Sequence, residues 1–245
     1  MALVDSWEKQ GNFLFKYRGQ IPVLLFLIAI PFLYYTPDVN FIVQFYWNIV
    51  SVLVSILGFA IRFYTIGTTP KGTSGRNTKE QIAEFLNSTG IYSVVRHPLY
   101  LGNYLIWLGI TIFTYNIYYT IIISLLFWIY YERIMFAEER FLERKYGEKY
   151  LNWSRSVPAF LPSFKNFKKS TFLFSVKSIM RREYASVLAA VIGFTFIDLV
   201  RLSIRNSNIS ISPFILQILI VVSIIVFILR SIKHYTNILE EKDRS

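Results

Sequence analysis

Long apolar blocks alternate with short polar segments along the whole chain, and this pattern predicts a bundle of membrane-crossing helices. Several blocks approach the ~20 apolar residues that an α-helix needs to cross the hydrocarbon core. The predicted fold class is therefore all-α, a polytopic transmembrane helical bundle of about six spans. We place these spans at about 21–35, 41–63, 98–114, 117–136, 184–200 and 209–229. The fourth is expected to continue as a polar helix over about 138–146.

The basic residues set the predicted orientation of this bundle. The chain has 26 Lys and Arg, 15 Asp and Glu, and a net charge of +11. With both termini on one side, every basic residue except Arg201 and Arg205 falls on that side. Because cytoplasmic loops of membrane proteins are enriched in Lys and Arg, we expect both termini to be cytoplasmic. Asp198 shares a helix face with Arg201 and Arg205, which predicts a structural cluster at the outer boundary.

Composition excludes several other classes of protein. At 54% hydrophobic residues, the chain is not an ordinary soluble domain. Its charge favours anionic lipid over nucleic acid as the partner. It has no cysteine, and its two histidines, His97 and His234, are far apart, so no metal site is expected. Residues 1–19 are interpreted as a surface amphipathic helix and not as a cleavable signal peptide. A single integral membrane domain is predicted over 1–245.

Two polar segments flank the third and fourth spans and carry the candidate chemistry. They read RHPLYLGNY at 96–104 and EERFLERKYGEKYLNWSRSVPAFLP at 138–162. Pro98 suits the first position of a helix, where its missing N–H would be unpaired anyway. The helix start beside His97 therefore presents free backbone N–H groups and the positive end of the helix dipole, which attract an anion. The intervening hairpin returns the second segment to the membrane face that carries the first.

Both segments resemble signatures of the isoprenylcysteine carboxyl methyltransferase and phospholipid methyltransferase superfamily of integral membrane enzymes, RHPxYxG and EExxLxxxFGxxYxxYxxxVPxxIP. LGFAIRFYTIG at 57–67 is also similar to the family's helix that ends in Gly-x-x-x-Arg. The resemblance covers about 45–165, so we expect a methyltransferase core at about 41–165 with two additional spans. It implies an S-adenosyl-L-methionine-dependent methyltransferase whose cofactor lies between the cytoplasmic ends of the third and fourth helices.

Under this resemblance, the acidic pair Glu138 and Glu139 is the expected counter-charge for the cofactor's ammonium and sulfonium. Tyrosines are expected to pack against its adenine, and Gly102 to allow close backbone approach. The full set of predicted cofactor-binding residues is Tyr92, His97, Pro98, Tyr100, Leu101, Gly102, Tyr104, Glu138 and Glu139. Arg62, Arg96 and Glu132 are predicted to be catalytic, since ionisable groups at membrane depth are functional candidates. Arg62 and Glu132 alternatively form a structural ion pair.

The acceptor is predicted to be a lipid oxyanion. A phosphate or carboxylate needs no general base, whereas an amine must lose a proton, and few bases besides His97 are available. A basic loop is the predicted substrate-binding element for a lipid phosphate, through Lys71, Arg76, Asn77 and Lys79. The loop sequence SGRNTKEQ, together with EKQGNFLFKYRGQIP near the amino terminus, resembles the bacterial branch of this superfamily that methylates the 1-phosphate of lipid A. This resemblance predicts the bacterial inner membrane, with a cytosol-facing active site.

Other functions stay open at this point. A prenylcysteine carboxylate would suit the same arginine-rich site, and N-methylation of phosphatidylethanolamine fits less well for want of a base. Membrane sterol reductases share the later Gly-x-x-Tyr and Val-Pro pattern, but they would place an Arg-Asp pair and cysteine where this chain has Glu138 and Glu139. A non-catalytic lipid-binding or transport protein would instead need charged residues along the bilayer midplane, and these spans contain hardly any.

Overall fold

The computed structural model describes residues 2–70, 83–241 and 244. The predicted substrate-binding residues Lys71, Arg76, Asn77 and Lys79 lie outside these described residues. The described chain forms eight α-helices, a 3₁₀ turn at Ile91–Ser93 and no β-strand. The α-helices are α1 Leu3–Lys16, α2 Ile21–Tyr35, α3 Phe41–Gly67, α4 Pro98–Ile112, α5 Ile117–Tyr146, α6 Glu148–Ser156, α7 Val176–Asn206 and α8 Pro213–Tyr235.

The all-α fold predicted from the apolar blocks is confirmed. Helices α3, α5, α7 and α8 are long and apolar enough to cross a membrane, by length and composition. Helices α2 and α4 are apolar but shorter, at 15 residues each. The total of six spans and the cytoplasmic location of both termini stay predictions. The expected amino-terminal helix is present as α1, which packs against α5.

Side-chain caps explain where the helices begin. The Asn40 side chain accepts a hydrogen bond of 2.9 Å from the Val43 N–H at the start of α3. Asn116 does the same at the start of α5 after the turn that ends α4. Ser175 caps α7, which therefore begins earlier than the predicted start of that span near residue 184. The predicted span from 209 begins instead at Pro213, a residue that suits the first helical position. The preceding Ser212 donates its N–H and hydroxyl to the Asp198 carboxylate.

Helices α3 and α4 are packed closely along a line of small residues. A Cβ added at Gly109 would lie 2.1 Å from the Ser55 hydroxyl, and one at Gly58 would lie 2.6 Å from the Gly102 carbonyl oxygen. The Ser55 hydroxyl donates across the interface to the Ile106 carbonyl at 3.2 Å. Small residues that let helix backbones approach are a recurrent means of joining helices in membranes. This contact fixes the end of α3 beside the start of α4.

Helix α5 continues from its apolar part to Tyr146 as predicted and ends at Gly147, whose φ of 51° suits glycine. Helix α1 lies against its polar half. The Arg133 guanidinium lies 3.6 Å from the centre of the Trp7 ring, and Arg144 pairs with Glu8 at 2.5 Å. Helix α1 is thereby brought to the end of the bundle where α3 ends and α4 begins.

The predicted outer-boundary cluster lies at the opposite end of the bundle. The Asp198 carboxylate is buried and pairs with Arg201 at 3.2 Å, while it also holds the start of α8. Arg201 donates a further hydrogen bond to the Phe113 carbonyl at 2.8 Å. Arg205 instead lies 3.8 Å from Asp38. The predicted contact is therefore present between Asp198 and Arg201, whereas Arg205 pairs with a different carboxylate.

Candidate active site

The two signature segments are joined by their backbones. The Arg96 N–H donates to the Pro158 carbonyl at 2.9 Å, and the His97 N–H donates to the Ala159 carbonyl at 3.2 Å. The Arg96 side chain adds a hydrogen bond of 3.2 Å to the Ser154 carbonyl. The α4–α5 hairpin therefore returns the second segment to the first, as the order of the motifs predicted.

A compact charged cluster forms where the segments meet. His97 Nε2 lies 2.8 Å from Glu139 Oε1, and Arg96 Nε lies 3.2 Å from the same oxygen. His97 Nδ1 is 3.7 Å from Glu138 Oε2, and that buried oxygen accepts no hydrogen bond among the described residues. The Tyr100 ring stacks on the imidazole, with ring centres 5.7 Å apart. Glu139 Oε1 is thus contacted by both His97 and Arg96, whereas Glu138 Oε2 retains capacity for a cationic ligand.

A cavity of about 660 Å³ opens at this cluster, within the size range of small-molecule sites. Its walls come from the end of α3, the start of α4 and the segment before it, the polar half of α5, α6, the start of α7 and the segment that follows α1. Eight of the predicted site residues line it: Arg62, Tyr92, Arg96, His97, Pro98, Tyr100, Glu138 and Glu139.

Three residues predicted to bind the cofactor lie elsewhere. Leu101 is buried in a hydrophobic cluster with residues of α5. Tyr104 packs its ring against Phe127 at 5.2 Å between ring centres. Gly102 faces α3, where an added Cβ would lie 2.5 Å from Arg62 Cγ. The predicted placement of these three residues at the cofactor is therefore corrected. Successive residues of a helix point about 100° apart, so one turn cannot direct all of its side chains into the cavity.

The predicted placement of Glu132 is also corrected. Glu132 does not line the cavity and does not pair with Arg62; its carboxylate lies 3.5 Å from the neighbouring Arg133. The adjacent Tyr131 is the residue of this turn that points inward, and it is buried. One step along a helix is enough to turn Glu132 away from the cavity.

The partner of Arg62 is Glu183 of α7. The guanidinium donates two hydrogen bonds of 2.8 Å to the two carboxylate oxygens, and a third to Asn103 Oδ1. The Asn103 amide in turn donates to the Tyr131 hydroxyl at 3.3 Å. This chain of contacts joins α7, α3, α4 and α5 at the base of the cavity.

Several cavity residues were missed from the sequence. Arg182 and Glu183 lie just before the span that was predicted to start at about 184, but α7 begins at Val176 and carries both into the cavity wall. One signal was available: Glu183 is the first acidic residue after Glu148, which makes it conspicuous in a basic stretch. Arg18, which follows α1, also lines the cavity, but nothing in the sequence marked it as a site residue.

Two phenols beside the acidic pair stay protonated at neutral pH. Burial raises the pKa of Tyr92, and the Glu138 carboxylate raises it further although Arg182 opposes this. Burial also raises the pKa of Tyr150, with a second contribution from the Glu139 carboxylate. Neither phenol is therefore available as a base near neutral pH.

Comparisons with known proteins find similarity over the middle of the chain. Residues 46–149 match the phospholipid methyltransferase family. A protein-S-isoprenylcysteine O-methyltransferase of Schizosaccharomyces pombe is 26% identical over 129 residues, which are 50% of this chain and 54% of that protein. A second such enzyme, from Arabidopsis thaliana, is 30% identical over 78 residues, covering 31% and 39%. The matched part of the chain is thus similar to phospholipid methyltransferases and to isoprenylcysteine methyltransferases.

Another relative has a different description. A nickel-cobalt-cadmium resistance protein of Alcaligenes xylosoxydans xylosoxydans is 34% identical over 115 residues, which are 46% of this chain and 51% of that protein. No solved structure matches the chain. The chain spans about half the length of the curated relatives it matches most extensively. Within the described residues, no three His, Cys, Asp or Glu side chains are grouped as metal ligands would be.

Proposed function

We propose that this protein is a membrane-embedded S-adenosyl-L-methionine-dependent methyltransferase that acts on an anionic lipid head group. The observation that carries the proposal is the cavity at the joined signature segments, because it is lined by charges of both signs. Glu138 and Glu139 come from α5, while Arg182 comes from α7. Helix α4 packs against both of these helices. A cationic donor and an anionic acceptor would each find side chains of complementary charge in the cavity lining.

The residues present fit the proposed cofactor. Glu138 Oε2 is buried without a hydrogen-bond partner, which suits it to an ammonium or sulfonium cation. The first turn of α4 offers backbone N–H groups to a carboxylate, and Pro98 makes that helix start rigid. Tyr92 and Tyr100 supply aromatic surface for a purine. When bound, S-adenosyl-L-methionine supplies an activated methyl group.

The role of the protein is mainly to position and desolvate the reactants, as expected for an in-line displacement. The His97–Glu139–Arg96 cluster fixes the mouth of the cavity, since each member is oriented by another. The Arg62–Glu183 pair fixes its base. An oxyanion acceptor would need no proton removed, which agrees with the protonated state of Tyr92 and Tyr150.

The acceptor that we favour is a lipid phosphate, such as the 1-phosphate of lipid A in a bacterial inner membrane. Arg18 and Arg182 both line the cavity and attract an oxyanion. The predicted loop with Lys71 and Arg76 would add to this positive charge. A second candidate acceptor is a prenylcysteine carboxylate, and two of the similar proteins are described as isoprenylcysteine O-methyltransferases.

Methyl-labelled S-adenosyl-L-methionine tests the proposal directly. Purified protein would be offered lipid A, lipid A without its 1-phosphate, a prenylcysteine and phosphatidylethanolamine in separate reactions. Label on intact lipid A alone supports the phosphate proposal. Label on the prenylcysteine supports the second candidate and overturns the lipid phosphate. Label on the amine of phosphatidylethanolamine would overturn the oxyanion acceptor altogether.

Cofactor binding, measured by calorimetry, provides an independent readout. Glu138→Gln is the matched variant inside the cavity, and Glu240→Gln, which removes an exposed carboxylate paired with Arg181, is the control. We expect the first to weaken binding and the second to leave it unchanged. A native protein that neither binds the cofactor nor transfers label would overturn the enzymatic proposal and favour a non-catalytic lipid-binding or transport protein.

A further inference from the structure

The segment between α6 and α7 is unusually apolar for an exposed connection. Residues 161–174, here called the strap, contain no helix or strand. Three of their apolar side chains are largely exposed: Leu161 at 77%, Phe164 at 75% and Leu173 at 87%. Phe167, Phe172 and Phe174 are exposed to a smaller extent. Such a concentration of exposed apolar side chains indicates a surface that contacts something else.

The backbone of the strap is nevertheless fixed to the bundle. The Ser163 N–H donates to the Val94 carbonyl at 3.0 Å, and the Lys168 carbonyl accepts from the Gly90 N–H at 2.8 Å. The Lys168 N–H donates to the Ser93 hydroxyl at 2.9 Å. The exposed side chains are therefore carried by an anchored backbone, and ordering them against a partner would cost little backbone entropy.

Positive charge accompanies the apolar side chains. Lys165, Lys168 and Lys169 lie within the strap and are exposed. No Asp or Glu occurs in the sequence between Glu148 and Glu183, so the strap has no acidic residue of its own. A surface that combines exposed aromatics with lysines matches the boundary of a membrane that contains anionic lipid.

The position of the strap agrees with this partner. The residue that follows it, Ser175, donates its N–H to the Gly67 carbonyl at the end of α3 at 2.8 Å. An added Cβ at Gly67 would lie 2.7 Å from the Phe174 ring. The strap thus lies where two apolar helices, α3 and α7, reach the same end of the bundle. That level is the head-group region of any membrane that these helices cross.

We propose that the strap is an interfacial lipid-binding element that inserts Leu161, Phe164 and Leu173 among the head groups of anionic phospholipids in the same membrane. The lysines bind the lipid phosphates, and each lysine near an anionic surface strengthens binding about fivefold. The strap lies beyond the matched residues 46–149. The proposal is independent of methyl transfer, because it concerns the contact with the bilayer and not the cavity.

A single-cysteine experiment tests the contact, since the native chain has no cysteine. Phe164→Cys would carry an environment-sensitive dye, and acrylamide, a neutral aqueous quencher, would report its accessibility. The protein would be placed in lipid nanodiscs of phosphatidylcholine, with or without phosphatidylglycerol. We expect phosphatidylglycerol to reduce quenching of the Phe164→Cys label severalfold and to shift its emission to the blue. Salt should reverse both effects.

Two controls separate this contact from a general charge effect. Asn152→Cys labels an exposed position of α6 outside the strap, and its quenching should not respond to phosphatidylglycerol. Replacing Lys165, Lys168 and Lys169 by Gln should abolish the response at Phe164→Cys, whereas replacing Lys145, Lys149 and Arg155 by Gln should preserve it. Equal quenching in both membranes would overturn the proposal. So would an equal loss, in both triple variants, of the response of the Phe164→Cys label to phosphatidylglycerol. Protection in both membranes that salt does not reverse would instead indicate a protein contact and also overturn it.

Discussion

The Arg62 guanidinium donates two parallel hydrogen bonds to the Glu183 carboxylate, each 2.8 Å long. Their side chains are only 12% and 4% exposed. Arg62 lies in the segment that matches the family, and Glu183 lies outside it. A planar, two-point contact of this kind fixes both distance and orientation. The α7 helix is therefore fastened to the base of the cavity and contributes to its wall.

Removing one partner of this ion pair should destabilise the protein strongly. Glu183→Ala leaves the Arg62 charge buried without its partner, and breaking a buried pair in this way costs ~3–5 kcal/mol. The double variant Arg62→Met, Glu183→Leu removes both charges and should lose less of the free energy of unfolding than Glu183→Ala does. Thermal unfolding in detergent, monitored by circular dichroism, gives the unfolding temperatures of the native protein, Glu183→Ala and the double variant. We expect them to fall in the order native, double variant, Glu183→Ala.

The exposed pair of Arg181 and Glu240 provides the control for that experiment. Its Glu240 side chain is 57% exposed, so Glu240→Gln should change the free energy of unfolding by ~1 kcal/mol or less. If Glu183→Ala were no more destabilising than Glu240→Gln, the Arg62 contact would have no structural importance.

The two adjacent glutamates of α5 should respond differently to substitution. Glu138 has a buried oxygen without a hydrogen-bond partner, so Glu138→Gln should weaken binding of S-adenosyl-L-methionine and leave the unfolding temperature unchanged. A hydrogen bond to a charged group is worth ~1.5–3 kcal/mol, which corresponds to about a tenfold to hundredfold loss of affinity. Glu139 pairs with His97 and Arg96, so Glu139→Gln should lower both the affinity for S-adenosyl-L-methionine and the unfolding temperature.

Calorimetry and thermal unfolding on the same preparations distinguish these outcomes. An Arg96→Ala variant should resemble Glu139→Gln, because it removes the other side of the same ion pair at 3.2 Å. Unchanged cofactor affinity in a folded double variant of Glu139→Gln and Arg96→Ala would refute the assignment of the site.

The close contact of α3 and α4 predicts a strong effect at Gly102. An added Cβ would lie 2.5 Å from Arg62 Cγ and 2.9 Å from the Gly58 carbonyl oxygen. Arg62 cannot easily move away, because Glu183 holds its guanidinium. Gly102→Ala should therefore cost ~1–3 kcal/mol of unfolding free energy. Gly19→Ala is the control, since no atom lies within 4 Å of its added Cβ. Similar unfolding temperatures for the two variants would contradict the contact.

The sequence predicted the helices better than it predicted the directions of their side chains. Apolar length and the caps at Asn40 and Asn116 are local properties, and the corresponding helices begin where they were expected. Whether a residue enters the cavity depends on helix rotation, which packing decides. Tyr104 was assigned to the site from the signature segment and Glu132 from its expected membrane depth, but their helices turn both away from the cavity.

The role of α7 could not be predicted from local pattern. Its polar first turns resemble a solvated basic segment, and only a contact 121 residues apart in sequence brings Glu183 to Arg62. Arg62 itself was correctly identified as an ionisable residue within a span, but the choice of Glu132 as its partner was wrong. A residue at membrane depth needs a partner, and sequence alone gives no means to choose among distant acids.

The contact between α1 and α5 should depend on pH. A hydrogen bond from Arg144 lowers the pKa of the Glu8 carboxyl, although partial burial opposes the shift. Since the folded-state pKa is below that of the unfolded chain, the stabilisation is present above the ordinary carboxyl pKa of about 4 and is lost as pH falls through the lowered value. Arg144 is 54% exposed, so the contribution is ~1 kcal/mol or less. Hydrogen exchange of α1 should be faster in Glu8→Gln than in the native protein at neutral pH. This difference should vanish in acid, whereas Asp5→Asn, at an exposed position of the same helix, should exchange like the native protein throughout.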